Sequence, residues 1–308
     1  MPAAALALVL AAALLHAVWN LAAKKAADEG GGDHRFALLC ALLVTLLWAP
    51  VALWFGWSEA PRWGWAEVLL VLASAAVHLL YFTVLLKGYR VADLTVVYPV
   101  ARGSAPLMSV VGAVVLLGEQ LSIFGVAGVL AVCAGVFVIA GGPGLWRWSR
   151  GPARDHAHDP AARLRLLAGL RWGLLSGLLI AGYTVIDGYA VKVLLVGPVL
   201  LDYVGNVLRV PFLLPQVLHS RAAVDAFKAA CRSHWRHALV VATLGPLAYV
   251  LVLYAVTMAP LSHVAPAREV SMLFAALIGG RLLGEGQRRL RLLGAACIAG
   301  GVIALALG

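Results

Sequence analysis

The sequence predicts an all-α integral membrane protein with ten transmembrane helices arranged as two inverted five-helix repeats. Three observations carry this prediction. The 308 residues are 63% hydrophobic and 12% charged, with mean hydropathy +0.93, whereas a soluble domain carries about 25% charged residues. The apolar residues run continuously instead of alternating, which suits spanning helices and not barrel strands. Finally, the stretch YPVARGSAPLMSVVGAVVLLGE at 98–119 returns as APAREVSMLFAALIGGRLLGE at 265–285. Arg102 to Gly118 and Arg268 to Gly284 are both sixteen residues apart.

A helical crossing needs about 20 apolar residues. At the start of the first expected span, 3–23, the run Pro2–Leu15 has the apolar, Ala-rich look of a signal-peptide core. It lacks a basic leader and continues past Trp19, so it reads as an uncleaved first span. The remaining spans of the first half are expected at 36–56, 65–86, 94–117 and 121–140. Residues 142–167 form a polar, basic linker containing RDHAHDP at 154–160, whose histidines read as solvated. The second half is expected to span at 168–190, 198–218, 238–258, 264–283 and 290–307.

The repeats therefore cover 1–141 and 168–308. Asn20 and Lys25 match Asp187 and Lys192, Tyr81 to Ala92 matches Tyr249 to Pro260, and Gly128 matches Gly294. Five spans is an odd number, so the second copy enters the membrane in the opposite sense, the plan of many secondary transporters. The net charge of +10 does not indicate nucleic acid, because the Lys and Arg residues are dispersed over short loops. Their bias toward one side predicts a cytoplasmic linker and both termini outside. The four cysteines have no metal-type spacing and suggest no disulfide framework.

An ionised residue inside a span costs about 2.5 kcal/mol or more near its centre, so each such residue needs a partner or a cavity. Arg102 lies about 12 Å into its helix, bracketed by Pro99 and Pro106. It is a candidate for holding a carboxylate or phosphate-like group. Arg268, beside Glu269, reads as shallower and able to snorkel to the interface. Asp202, Asn206 and Arg209 fall on one helical face, either as a substrate stripe or as an internal pairing. In span one, His16 and Asn20 share a face near Trp19. His16 is a candidate proton-linked group, and Asp187, with Tyr183 one turn earlier, a proton or cation site. Tyr98 and Tyr249 are expected to shape the same cavity. Gly118-Glu119 and Gly284-Glu285 read as turns that end helices. Gly125, Gly128, Gly135, Gly294 and Gly300 suit close packing within one chain or in a homodimer. No nucleotide loop, HExxH or GxSxG occurs, so neither cofactor nor metal is expected.

The run YPVARGSAPLMSVVGAVVLLGEQLS, its echo APAREVSMLFAALIGGRLLGE and the opening HAVWNLAAKKA resemble the drug/metabolite transporter superfamily, EamA branch. That resemblance implies a ten-helix fold whose central cavity is lined by spans one to four and six to nine, with five and ten at the edge. It carries His16, Asn20, Arg102, Asp187 and Arg268 into the cavity. It also implies alternating-access transport of small metabolites, commonly export, by a multi-pass protein of the bacterial plasma (inner) membrane. Related four-helix transporters have a carboxylate in helix one where this sequence has His16, which speaks against a cationic drug.

Taken together, the expectation is a secondary transporter, not an enzyme, for an amino acid-like zwitterion or an organic anion. Its partners are that small molecule and the lipid bilayer. The alternative is a membrane-embedded enzyme acting on lipid-linked substrates, which needs a clustered nucleophile or metal site at one membrane face.

Overall fold

The structure, a computed structural model, describes residues 1–31, 33–92, 94–140, 160–279 and 288–308. His156, His158, Gly284 and Glu285 lie outside them. The described residues form twelve α-helices and no strand. In the first half these are α1 (Ala3–Ala26), α2 (His34–Glu59), α3 (Trp65–Val91), α4 (Leu94–Leu117) and α5 (Ile123–Ile139). The second half contributes α6 (Pro160–Lys192), α7 (Pro198–Val207), α8 (Arg209–Val217), α9 (Arg221–Met258), α10 (Leu261–Ala267), α11 (Val270–Gly279) and α12 (Arg288–Leu307). Six helical stretches, built on α1, α2, α3, α4, α6 and α9, are long and apolar enough to cross a membrane.

Local chemistry sets several ends. Asp33 caps α2, accepting from the N–H groups of Arg35 (2.9 Å) and Phe36 (3.3 Å). Burial alone would raise its carboxyl, but these bonds and the Arg35 guanidinium hold it below its ordinary value. Ser122 and Ser220 cap α5 and α9 through their hydroxyls, the usual N-cap device. Gly118 ends α4 at φ +67°, a left-handed conformation that favours glycine, so the expected Gly-Glu turn forms there.

Besides an earlier start of α6, at Pro160 instead of 168 and so inside the expected linker, three elements differ from the expected spans. The stretch 198–218 divides at Leu208 into α7 and α8. Pro211 has no N–H for the Val207 carbonyl, and its ring crowds that group. The stretch 264–283 divides at Arg268–Glu269, where i→i−3 bonds replace the α pattern (Glu269 N to Pro266 O, 3.0 Å; Met272 N to Glu269 O, 2.9 Å). By contrast, α4 stays continuous across Pro99 and Pro106. The third difference is α9, which starts at Arg221 instead of 238. Its 38 residues extend about 57 Å, well beyond a hydrocarbon core of about 30 Å. Its early turns carry the polar residues expected to form a loop.

The core is built from small residues. Ala5, Val9, Ala12, Ala13, Val132, Val136, Ala255 and Val256 are almost fully buried, while Leu46, Leu53, Trp54, Trp57, Leu116 and Ile123 face outward. A soluble protein would bury its largest apolar groups. Here small side chains bring helices together, and large ones cover the outside.

Packing between the halves follows a two-fold exchange. The contact of α4 with α6 has its counterpart in α1 with α11, and that of α3 with α6 in α1 with α9. The pairs α2 with α7 and α5 with α12 are each their own counterpart. Gly169, Gly173 and Gly177 of α6 lie against Val96, Val100 and Ser104 of α4, so those helices run parallel. Gly128 and Gly135 lie against Gly301 and Gly294, so α5 and α12 run antiparallel.

Candidate functional site

Where α3, α4, α6 and α9 meet the α10–α11 break, side chains of both halves form a polar interior. Its centre is Asp187 of α6, which is 1% exposed. The Ser74 hydroxyl from α3 donates to one carboxylate oxygen and the Tyr249 hydroxyl from α9 to the other. His78, one turn after Ser74, places Nδ1 3.0 Å from the Ser74 carbonyl oxygen. Its ring stacks on Tyr183 with centroids 3.8 Å apart and meets Tyr249 edge-on at 6.1 Å. Tyr81 packs obliquely on Tyr183 at 5.9 Å. The carboxylate thus sits beside an aromatic group of Tyr249, His78 and Tyr183, with Tyr81 packed behind Tyr183.

The second part is a charge cluster. Glu269 is 2% exposed. One of its oxygens lies 3.1 Å from Nη2 of Arg102, and the other 3.8 Å from Nε of Arg268. The first contact is close enough for strong Coulomb attraction but is not aligned as a hydrogen bond. One acid thus serves two cations from opposite halves. The expected shallow position of Arg268 is not what the structure has: its side chain is 13% exposed, against 21% for Arg102. The helix break at 268–269 turns Arg268 inward beside Glu269.

Arg209 opens α8 immediately after the break at Leu208. It lies within electrostatic reach of Asp187, Asp202 and His78, yet forms no ion pair among the described residues. The internal Asp202–Arg209 pairing weighed from the sequence therefore does not form. Asn206 is buried and donates to the backbone carbonyl of Asp202 at 2.9 Å.

The span-one residues are less central. His16 packs edge-on against Trp19 with centroids 4.7 Å apart and is within electrostatic reach of Arg102 and Arg268. Trp19 keeps a buried Nε1 without a partner. Asn20 is exposed, and its amide donates to the His16 carbonyl at 2.7 Å, so it does not join the cluster. Tyr98 is half-buried against the core and lies within electrostatic reach of Arg102. An open depression of about 510 Å³ between Lys192, Gly197 and Thr257 is lined by none of these groups.

Sequence reading missed Ser74, His78 and Glu269 as site residues. Ser74, His78 and Tyr81 fall at i, i+4 and i+7, a polar stripe in an otherwise apolar span. That stripe is the signal the sequence offers, and it is a weak one because none of the three carries a fixed charge. From the sequence Glu269 reads only as a neighbour of Arg268, since nothing local reveals that Arg102 reaches it.

No curated protein sequence matches the chain. A crystal structure of a protein 18% identical to this one covers 100% of this chain and 98% of that chain, with a TM-score of 0.65. At that identity the likeness concerns the fold alone. The EamA-like transporter family matches twice, over residues 3–141 and 167–307. Two copies of one unit, apolar helices throughout and a polar interior between the halves all agree with that match. The chain belongs to the EamA-like transporter family, a multi-pass membrane transporter of the drug/metabolite type.

Proposed function

We propose that the protein is a secondary active transporter that exports a small zwitterion or organic anion across the cell membrane by alternating access. The two halves, 1–141 and 168–308, cross five times each in opposite senses, joined by a cytoplasmic linker at 142–167. Substrate occupies the interior between them. The observation that carries this reading is a chain of three cations (Arg102 of the first half, Arg209 and Arg268 of the second) and three acids of the second half (Asp187, Asp202, Glu269) in contact or within electrostatic reach of one another in one apolar protein. Buried charges on this scale are costly, and a transport pathway gives them a use.

Within this reading the roles divide by existing partners. Arg102 and Arg268 share Glu269, which leaves that trio one positive charge in excess. Arg209, without an ion-pair partner among the described residues, takes the anionic group of the substrate. Asp187 and Asp202 face an ammonium group, and Tyr183, Tyr249 and Tyr98 shape the space. Asp187 exchanges a proton between the two access states, with Ser74 and Tyr249 orienting it. Counterflow in proteoliposomes with a panel of amino acids and small organic anions tests this. Arg209→Ala and Asp187→Asn are expected to lower transport at least about tenfold, the worth of roughly 1.4 kcal/mol. Full transport by both variants would sink the assignment. The enzyme alternative is not carried further, since members of the family are transporters.

A further inference from the structure

Away from the polar interior, a second cluster sits where the turn after α1 meets the early part of α9. Glu29 lies in a π-helical turn, Ala27–Gly31. His234 and His237, three apart on α9, face it. One donor atom from each of the three side chains lies within 4.8 Å of the other two. Nδ1 of His237 is 3.8 Å from a Glu29 carboxylate oxygen.

Two further observations point to a ligand. His234 is 7% exposed, and Nδ1 of both His234 and His237 is buried without a hydrogen-bond partner. An unsatisfied buried polar atom costs about 1–3 kcal/mol, and two on adjacent turns of one helix call for a common partner. The backbone is also cut to fit. A Cβ at Gly31 would lie 2.9 Å from the His234 ring, so the imidazole sits where glycine alone leaves room. Gly30 takes φ +89°, which bends the chain to bring Glu29 over α9. Arg236, the nearest cation in sequence on α9, stands over the Trp235 ring at 5.4 Å.

We propose that Glu29, His234 and His237 bind a divalent transition-metal ion of the zinc class, linking the turn after α1 to α9. Two imidazoles and one carboxylate suit zinc, with a fourth position for water. Calcium and magnesium prefer all-oxygen shells. At metal–ligand distances of about 2.0–2.1 Å the donor atoms must draw together from their present separations. Glu29 is more than half exposed and supplies most of that movement by rotating its side chain. The ion joins the first half of the chain to the second at the end that carries the basic loops. Motif spacing in the sequence does not reveal it, because the third ligand comes from the opposite half.

The test is zinc titration of tag-free, full-length protein in detergent, by calorimetry and by thermal unfolding, with cobalt absorption as a spectroscopic readout. One saturable site per chain is expected, with zinc raising the unfolding temperature. Outer-shell partners of a metal are worth about 10–100-fold in affinity, so losing a ligand should weaken binding by at least about tenfold. Glu29→Gln and His237→Asn, both away from the tightly packed core, are expected to show this loss. A double variant, His156→Asn with His158→Asn, is expected to bind as the parent does. Absence of a saturable site, unchanged binding in Glu29→Gln and His237→Asn, or loss confined to the linker variant would each overturn the proposal.

Discussion

Glu269 shows how one residue can matter more than its neighbours in sequence suggest. Its carboxylate lies between guanidinium groups from the two halves, and it is almost wholly enclosed. Removing one member of a buried ionic group costs about 3–5 kcal/mol, because the remaining charges lose their compensation. Glu269→Gln is therefore expected to lower the unfolding temperature in detergent sharply, while Asn20→Ala, an exposed residue bonded to its own helix, changes stability by about 0.5 kcal/mol or less. Thermal unfolding followed by tryptophan fluorescence distinguishes the two. Equal, small effects would mean that the triad does not hold the halves together.

Among the elements, the α4–α6 contact depends on glycine for a steric reason. A Cβ at Gly173 would come within 2.8 Å of the Val100 side chain, and one at Gly177 would meet the Ser104 hydroxyl. The Ser104 hydroxyl can rotate away, but at Gly173 the Val97 carbonyl oxygen also stands 3.0 Å off, so a Cβ there fits only if the helices move apart. Gly300 of α12, in contrast, has nothing within 4 Å of its would-be Cβ. Gly173→Ala is expected to destabilise by about 1–3 kcal/mol, the usual cost of overpacking. Gly300→Ala is expected to be neutral or to stabilise by up to about 1 kcal/mol through helix propensity. Guanidinium-free thermal scans of the two single variants suffice to compare them. If both behave alike, close approach of α4 and α6 is not what these glycines provide.

At the scale of the whole molecule, Glu119 ties three segments from both halves together. It accepts from the N–H groups of Leu261 (2.7 Å) and Ser262 (2.8 Å) at the start of α10, and pairs with Lys192 at 2.8 Å. Burial alone would raise its carboxyl, but Lys192 and those N–H groups outweigh it and hold the group below its ordinary value. A depressed folded-state value favours the folded protein above the unfolded value of about 4.3. That advantage disappears as pH falls through the lower, folded value. Wild type should therefore unfold at a higher temperature than Glu119→Gln at neutral pH, with the gap narrowing on the acid side of about pH 4. A gap that persists unchanged into acid would show that the carboxylate charge is not what stabilises this junction.

Composition and periodicity by themselves determined the all-helical membrane class, because continuous apolar runs leave few other homes for such a chain. Repetition of the proline–arginine–glycine–glutamate stretch determined the two-copy organisation, since matching residues at a constant offset require no knowledge of contacts. Most boundaries of α1 to α5 were legible too, set by local caps such as Asp33 and by Gly118. The helix breaks at Leu208 and Arg268 are absent from the expected spans, although Pro211 and Pro266 stand beside them. Which charges meet was decided only by tertiary structure. Arg102 pairs with Glu269, and Asp187 accepts from Ser74, across long stretches of chain, and Coulomb attraction and hydrogen bonding act over ångströms in space, not along the sequence. For the same reason Ser74 and His78 looked like ordinary polar residues of a span until α6 was packed against α3.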